Sequence, residues 1–564
     1  MRNLVALAGV AFLPLGVPDR SADPDPKAID AVFAKYDRTT TPGCALGVYR
    51  DGRMVYSRGY GMADLNQGIP IRPNTVFYVA STSKQFAAVS IALAAEQGRL
   101  ALEDPIRKYL PELPAYADSI TVRDLVHHLS GIRDYLGLWA VSGRSAADEI
   151  PEEMALDLIA RQKALDFPPR TRWSYSNSGY FLLSVIVKRA TGESLRAFAE
   201  RHIFGPLKMT NTHFHDDNKE IVANRAEGYQ PKGEGTFEIV RTSFALVGDG
   251  GLYTTVEDLL AWDANFYGNR LAGGAALLDR ILTPARLANG DSTNYAFGLM
   301  HRTHRGLAVV EHGGAFIGYR AQLTRFPIEK LSVAVLCNDY TADPDALVQR
   351  VAELYLGDRM AAAAAGLAVG GTATGTAAGA AAPAPARIAV APERLERYQG
   401  RYEIGPGQVI TVRRAGDSLL IDAFGRVFPL AAVDESTFTA TGLPGRIEFR
   451  DLASGPGLLV SALGGIAPSP RLPPPPSVSA AAMAALAGTY TSEELDTWAT
   501  VAVRDGALSV RLRYDVWRPL VPLLPDAFIA AGSRIDLTRG RRGEVTGFRL
   551  SAPRLANVEF ARVR

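Results

Sequence analysis

Ser81 and Lys84 stand three residues apart in Phe77-Tyr-Val-Ala-Ser-Thr-Ser-Lys-Gln-Phe86, an S-x-x-K pattern. An apolar, helix-favouring run follows from Gln85 to Gln97, with Gly98 as its stop. Residues three apart share a helix face, so the Lys84 amine can lie beside the Ser81 hydroxyl. A serine alcohol is a weak nucleophile until a neighbouring base takes its proton. A lysine serves as that base only if burial and nearby cations pull its pKa below the usual value of about 10.4. A helix N-terminus would add backbone N–H groups for a developing oxyanion. Taken alone, the same four residues fit an ordinary serine cap with an exposed lysine. The rest of the chain has to decide.

Two further clusters bear on that choice. Tyr175-Ser176-Asn177 lies in the loop Pro168–Tyr180, just before an apolar helix reaching Ala190. Tyr175 can share proton transfer with Lys84, since a charged lysine favours tyrosinate and burial favours a neutral amine. Asn177 can accept from Lys84 with its carbonyl and offer its amide to a substrate carbonyl. The third cluster, His312-Gly313-Gly314-Ala315, sits in a strand-like stretch. Its glycines would let a substrate backbone come close.

In this order and at these separations, the three clusters resemble the serine β-lactamase-like hydrolases. That superfamily holds class C β-lactamases, penicillin-binding DD-peptidases, D-aminopeptidases and related esterases. The resemblance spans roughly Lys27 to Tyr355. It is supported by His127-His-Leu-Ser-Gly-Ile132, Tyr175-Ser-Asn-Ser-Gly-Tyr180 and Gly248-Asp-Gly-Gly-Leu252. It implies an α+β fold, an antiparallel sheet flanked by helices with an all-helical subdomain. By the same resemblance Ser81 is the nucleophile, with Lys84 and Tyr175 as its catalytic partners. Class C relatives often give the base role to the tyrosine, which would be Tyr175; the residues themselves leave the choice between Lys84 and Tyr175 open. Asn177, His312, Gly313 and Gly314 become substrate contacts, and the N–H groups of Ser81 and Ala315 the oxyanion hole. Many relatives carry Lys-Thr-Gly where this chain has His312-Gly313-Gly314. A neutral histidine weakens recognition of a substrate carboxylate. That favours esters, amides or peptides read at their amino end over penicillins.

At 564 residues the chain should hold about three to four domains. A composition of 47% hydrophobic and 21% charged residues is that of a soluble globular protein, and a net charge of +2 gives no reason to expect nucleic acid. Residues 1–22, with an apolar run from Leu4 to Val17, read as an export signal too short to span a bilayer stably. No other run would make a stable membrane span, so the protein is expected to be periplasmic or secreted. The hydrolase domain would cover 23–357, an Ala/Gly/Pro linker 358–391, a β-barrel 392–468, a proline-rich linker 469–482 and a second β-barrel 483–564. The barrels echo each other: Tyr398-x-Gly400-x-Tyr402 matches Leu486-x-Gly488-x-Tyr490. Two C-terminal barrels also accompany the catalytic domain in D-aminopeptidases. Cys44 and Cys337 fit no metal spacing and end two apolar strands. Antiparallel pairing would bring them together and export would permit a disulfide; two buried free thiols are the favoured reading. His213, His215, Asp216 and Asp217 read as exposed loop residues, and His127-His128 as structural. No metal and no cofactor are expected.

The expected protein is thus a serine hydrolase forming an acyl-enzyme on Ser81, with D-aminopeptidase-like or esterase activity on a small-molecule or peptide substrate. A penicillin-recognising DD-peptidase or β-lactamase, and a non-catalytic binding or sensor protein, are the alternatives. A homodimer through the C-terminal barrels is a further expectation.

Overall fold

The central strands of the catalytic domain's sheet, Cys44–Arg50 and Leu331–Cys337, are mostly apolar and almost wholly buried, because both faces of the sheet are covered there. The computed structural model describes residues 23–563 apart from 146–147, 367–387, 424, 441–445, 454, 463–464 and 514. The expected export signal lies outside the described residues. Six strands, β1 (Cys44–Arg50), β2 (Arg53–Tyr60), β3 (Met300–His304), β4 (Leu307–Phe316), β5 (Tyr319–Phe326) and β6 (Leu331–Cys337), pair antiparallel in the order β3-β4-β5-β6-β1-β2. Side chains alternate across a strand. Leu46, Val48, Val333 and Val335 therefore pack under the terminal helices Pro26–Val32 and Pro344–Gly366. Ala45, Tyr49, Ala334 and Leu336 face the helical side. The β1–β2 turn is made by Asp51 and Gly52, both at positive φ, as a tight hairpin requires.

Helices Lys84–Glu96 and Asn177–Thr191 form the middle of the helical side and are buried along most of their length. Phe86 packs on Phe204 and Trp262, and Trp262 Nε1 donates to Gln85 Oε1 at 2.7 Å. The S-x-x-K helix is thus a core element and not a capped surface helix.

Cys44 and Cys337 are direct register partners and form a disulfide, with their Cα atoms 4.0 Å apart. The expectation of free thiols is corrected. The reason is register, since antiparallel pairing of β1 with β6 puts the first residue of one against the last of the other.

The C-terminal helix of the catalytic domain continues to Gly366, past residue 357 and into the first part of the expected linker, because alanines extend a helix readily. Most of the expected linker lies outside the described residues. An eight-stranded closed barrel runs from Gly400 to Leu472, so its last strand, Gly465–Leu472, takes up the first part of the expected proline-rich linker. A nine-stranded, nearly closed sheet follows from Gly488 to Arg562. The internal echo has a physical counterpart: Tyr402 donates to the Tyr398 carbonyl at 2.8 Å, and Tyr490 to the Leu486 carbonyl at 2.7 Å.

The two barrels are not equivalent in their packing. The first has its own core around Tyr402, Ile421 and Phe449. The second shares the core of the catalytic domain through Leu495 and Leu555. Arg133, buried in the catalytic domain, donates to Gln162 Oε1 at 2.8 Å and pairs with Glu494 of the second barrel, which is buried as well. Asp166 accepts from the Ala556 N–H at 2.8 Å.

Candidate active site

Ser81 lies on the short turn Ala80–Ser83 that leads directly into the helix beginning at Lys84. Ala80 holds φ 45°, an uncommon value for a residue with a Cβ, immediately before the serine. Strand β4 runs against this turn. A Cβ on Gly314 would fall 2.1 Å from the Val79 carbonyl oxygen and 3.1 Å from Ser81 N, so only glycine fits there. The sequence expected room for substrate at this glycine; the close approach is to the nucleophile turn itself. Gly313, beside it, faces the Gln322 side chain, and Ala315 next along the strand is exposed.

Lys84 is fully buried and its Nζ meets three oxygens: Ser81 Oγ at 3.2 Å, Asn177 Oδ1 at 2.9 Å and the Asp249 carbonyl at 2.5 Å. A neutral amine has two N–H groups, which the two carbonyl oxygens accept. Its lone pair is then left for the Ser81 hydroxyl. Burial is the main reason the Lys84 pKa falls, to about 7; Asp249 and Asp134 oppose the fall and Arg554 assists it. Asp249, also buried, is pushed up by burial against the pull of Lys84, and its Oδ2 accepts from the Tyr135 hydroxyl at 3.1 Å.

The Tyr175 ring stands 4.8 Å from Lys84 Nζ, and its hydroxyl is near enough to Ser81 for the serine to lower its pKa. Burial raises the Tyr175 pKa despite the lowering by Ser81 and Arg554. Its neutral form is therefore the resting one, and the tyrosinate that a tyrosine base would need is disfavoured. His128 packs on Tyr175 with ring centroids 4.3 Å apart and accepts from the Ser176 N–H at 3.2 Å through Nδ1. It also touches the rings of Tyr180 and Tyr295. These contacts pack His128 against Tyr175 and its neighbours.

Asn177 opens the helix Asn177–Thr191. Both its backbone N–H and its Nδ2 donate to Asp134 Oδ2, at 2.8 and 2.9 Å. Asp134 takes one of the two Nδ2 N–H groups, which leaves the other for the substrate carbonyl that the sequence reading assigned to it. Asp134 also caps the helix Tyr135–Val141, accepting from Leu136 N at 3.0 Å and Gly137 N at 3.2 Å.

His312, on β4, is buried. Its Nε2 meets the Tyr295 hydroxyl at 3.1 Å and its Nδ1 the Gly313 carbonyl at 2.6 Å. A carbonyl only accepts, so Nδ1 carries the proton and Nε2 accepts from Tyr295. Burial, with Lys84 nearby, pushes its pKa down to about 3. The imidazole is neutral, as the sequence implied, and both of its nitrogens are occupied.

Three contributors escaped the sequence reading. Asp134 follows the His127–Ile132 stretch but has no motif of its own, and Asp249 stood unremarked inside its glycine-rich turn. Arg554 belongs to the second barrel. Its guanidinium carbon lies 4.7 Å from the Tyr175 ring centre, and its carbonyl accepts from the Asp134 N–H at 3.1 Å. An Ala-Pro-Arg turn in a distant barrel carries no sequence signal for this.

His213 and His215 depart from the expected exposed loop. His213 lies on the short strand His213–Phe214 and His215 is buried, because both pack on Tyr253. With Glu220 they form a group of potential metal ligands. However, both Glu220 oxygens accept from Arg196, at 2.6 and 2.8 Å, so a cation would have to displace a guanidinium.

The Beta-lactamase family matches residues 29–357, so the chain belongs to that family. It is a serine hydrolase of this fold with two C-terminal barrels added. Over 538 residues it is 30% identical to a D-aminopeptidase of Cereibacter sphaeroides, covering 93% of this chain and 96% of the relative. It is 29% identical to a D-aminopeptidase of Gluconobacter oxydans over 322 residues, 57% of this chain and 60% of that one. Among solved structures, the octameric penicillin-binding protein homologue of Pyrococcus abyssi superposes with a TM-score of 0.53 at 20% identity, covering 87% of this chain and 99% of that one. At that identity the likeness concerns the fold alone.

Proposed function

We propose that this chain hydrolyses the amide bond following an amino-terminal D-amino acid, through an acyl-enzyme on Ser81. The observation that carries the hydrolytic step is the placement of Lys84 Nζ within reach of two carbonyl oxygens and Ser81 Oγ, so that a neutral amine donating to both carbonyls turns its lone pair to the serine. Lys84 takes the Ser81 proton as Oγ bonds to the substrate carbonyl carbon. The N–H groups of Ser81 and Ala315 receive the oxyanion. The C–N bond then breaks, and the departing nitrogen is protonated through the Tyr175 hydroxyl, which Lys84 reprotonates. Water attacks the acyl group next, releases the acid and restores the Ser81 hydroxyl. Asn177 positions Lys84, while Gly313 and Gly314 shape the wall of the cleft. The choice of a D-aminoacyl amide is supported by likeness to a D-aminopeptidase along almost the whole chain, barrels included.

His312 counts against a penicillin-type substrate, since a neutral ring with both nitrogens occupied offers β4 no cation for a carboxylate. Export is part of the proposal. The apolar run Leu4–Val17 supports it, and so does the Cys44–Cys337 disulfide, which an oxidising compartment preserves. A homodimer through the barrels is included too, and a sedimentation mass of twice the chain is its expected signature.

A fluorophosphonate probe should label the wild type and leave Ser81→Ala unlabelled. In a panel of D- and L-aminoacyl p-nitroanilides, p-nitrophenyl esters and nitrocefin, the D-aminoacyl anilides should turn over best. Equal labelling of both proteins would overturn the role of Ser81. Turnover confined to esters or to nitrocefin would overturn the amidase reading.

A further inference from the structure

Arg554 is a cation beside Tyr175 with no carboxylate paired to it among the described residues, whereas Arg133, which docks the same barrel, is paired with Glu494. It is exposed, while Lys84 and His128 on the inner side of Tyr175 are buried, so the guanidinium covers the solvent side of the tyrosine. Its position is not that of a loose surface side chain. Its carbonyl is held by the Asp134 N–H, the adjoining Leu555 is buried in the shared core, and the Ala556 N–H donates to Asp166. Arg554 itself takes φ 64°, a left-handed conformation that this anchored turn maintains.

We propose that Arg554 forms an anion subsite for the leaving group, binding the free carboxylate of the residue that follows the scissile amide. The inference rests on the amidase reading and narrows its substrate to aminoacyl amino acids, that is, dipeptides. The geometry argues as follows. On the proposed mechanism the Tyr175 hydroxyl, which lies near Ser81, protonates the departing nitrogen, so whatever that nitrogen carries would pass the solvent side of Tyr175. An α-amino acid bears its carboxylate two bonds from its nitrogen, which a guanidinium over that ring can reach. A guanidinium receives a carboxylate through paired N–H donors. The cation that β4 lacks at His312 is thus supplied by the second barrel, from the opposite wall. A longer peptide would carry its carboxylate past Arg554 and lose this contact.

The test compares kcat/KM for D-alanylglycine and D-alanylglycinamide in the full-length wild type, Arg554→Gln and Arg554→Lys. The wild type should prefer the acid over the amide by about tenfold, as expected for a hydrogen bond to a charged group, with the effect mainly in KM. The preference should fall to near one in Arg554→Gln and be partly kept in Arg554→Lys. Should Arg554→Gln fail to fold, the wild type alone decides, because its acid preference should shrink as NaCl rises. Cleavage of both dipeptides at equal kcat/KM overturns the anion subsite and leaves the amidase reading standing. Cleavage of neither overturns the amidase reading and the subsite with it.

Discussion

Asp134 Oδ2 accepts two hydrogen bonds from one residue, Asn177, through its backbone N–H and its Nδ2. This pairing decides which end of the Asn177 amide faces Lys84. With Nδ2 tied to a carboxylate, Oδ1 is the atom left to accept from the lysine.

Replacing Asp134 with Ala should therefore release the Asn177 amide and loosen Lys84. We expect kcat on a D-aminoacyl p-nitroanilide to fall by roughly 10- to 100-fold, with a smaller change in KM. The lost cap and buried hydrogen bonds should also cost about 1–3 kcal/mol of stability. Steady-state kinetics with a denaturation curve checks both; wild-type kcat would remove Asp134 from the positioning of Lys84.

The acid limb of the pH–rate profile should belong to Lys84. Its pKa is lowered to about 7 by burial, and the neutral amine is the active form, so kcat/KM should rise as pH passes through about 7. Tyr175 is raised by burial, so loss of its proton should give no limb below the ordinary tyrosine range near 10. His312, at about 3, should contribute no limb near neutrality. A profile flat from pH 5.5 to 8.5 would exclude Lys84 as the titrating base.

Stability should follow the same lysine with a definite sign. In the unfolded chain Lys84 holds its proton to about 10.4, and in the folded protein only to about 7. Between these values the unfolded state binds more protons, so this residue's contribution to unfolding free energy rises with pH across that window. The wild type should gain stability relative to Lys84→Met between pH 7 and 9, read from urea midpoints. A constant difference would contradict the lowered pKa.

Glu494→Ala would leave Arg133 buried with Asp166, 3.5 Å from its Nε, as its remaining carboxylate partner. Removing a partner from a buried pair costs up to about 3–5 kcal/mol, and Asp166 offsets part of that. The unfolding midpoint should drop accordingly, and proteolysis should cut between the catalytic domain and the second barrel sooner. Activity should decline as well, because Arg133 adjoins Asp134 and the same barrel carries Arg554. An unchanged midpoint would mean that the other contacts of the barrel hold it without the Arg133–Glu494 pair.

The Cys44–Cys337 bond is checked by mass. Alkylation without reductant should add nothing to the unfolded protein, and after reduction two adducts should appear. Cys44→Ala with Cys337→Ala should lose about 2–5 kcal/mol.

The chain itself dictated whatever depends on local pattern. S-x-x-K at 81–84 sets Ser81 beside Lys84 where the turn Ala80–Ser83 enters the helix, and the tyrosine–glycine echo gives two related barrels. The neutrality of His312 was legible too, because a histidine stood where relatives carry a lysine. Tertiary structure alone decided the rest, because it turns on distances between residues far apart in the chain. Burial lowered the Lys84 pKa and kept Tyr175 neutral, since desolvation penalises charge and no motif records the depth of a side chain. Strand register, not cysteine spacing, closed the disulfide. And only the docking of the second barrel, through Glu494 on Arg133, brings Arg554 to Tyr175 across a sequence separation that local propensity does not span.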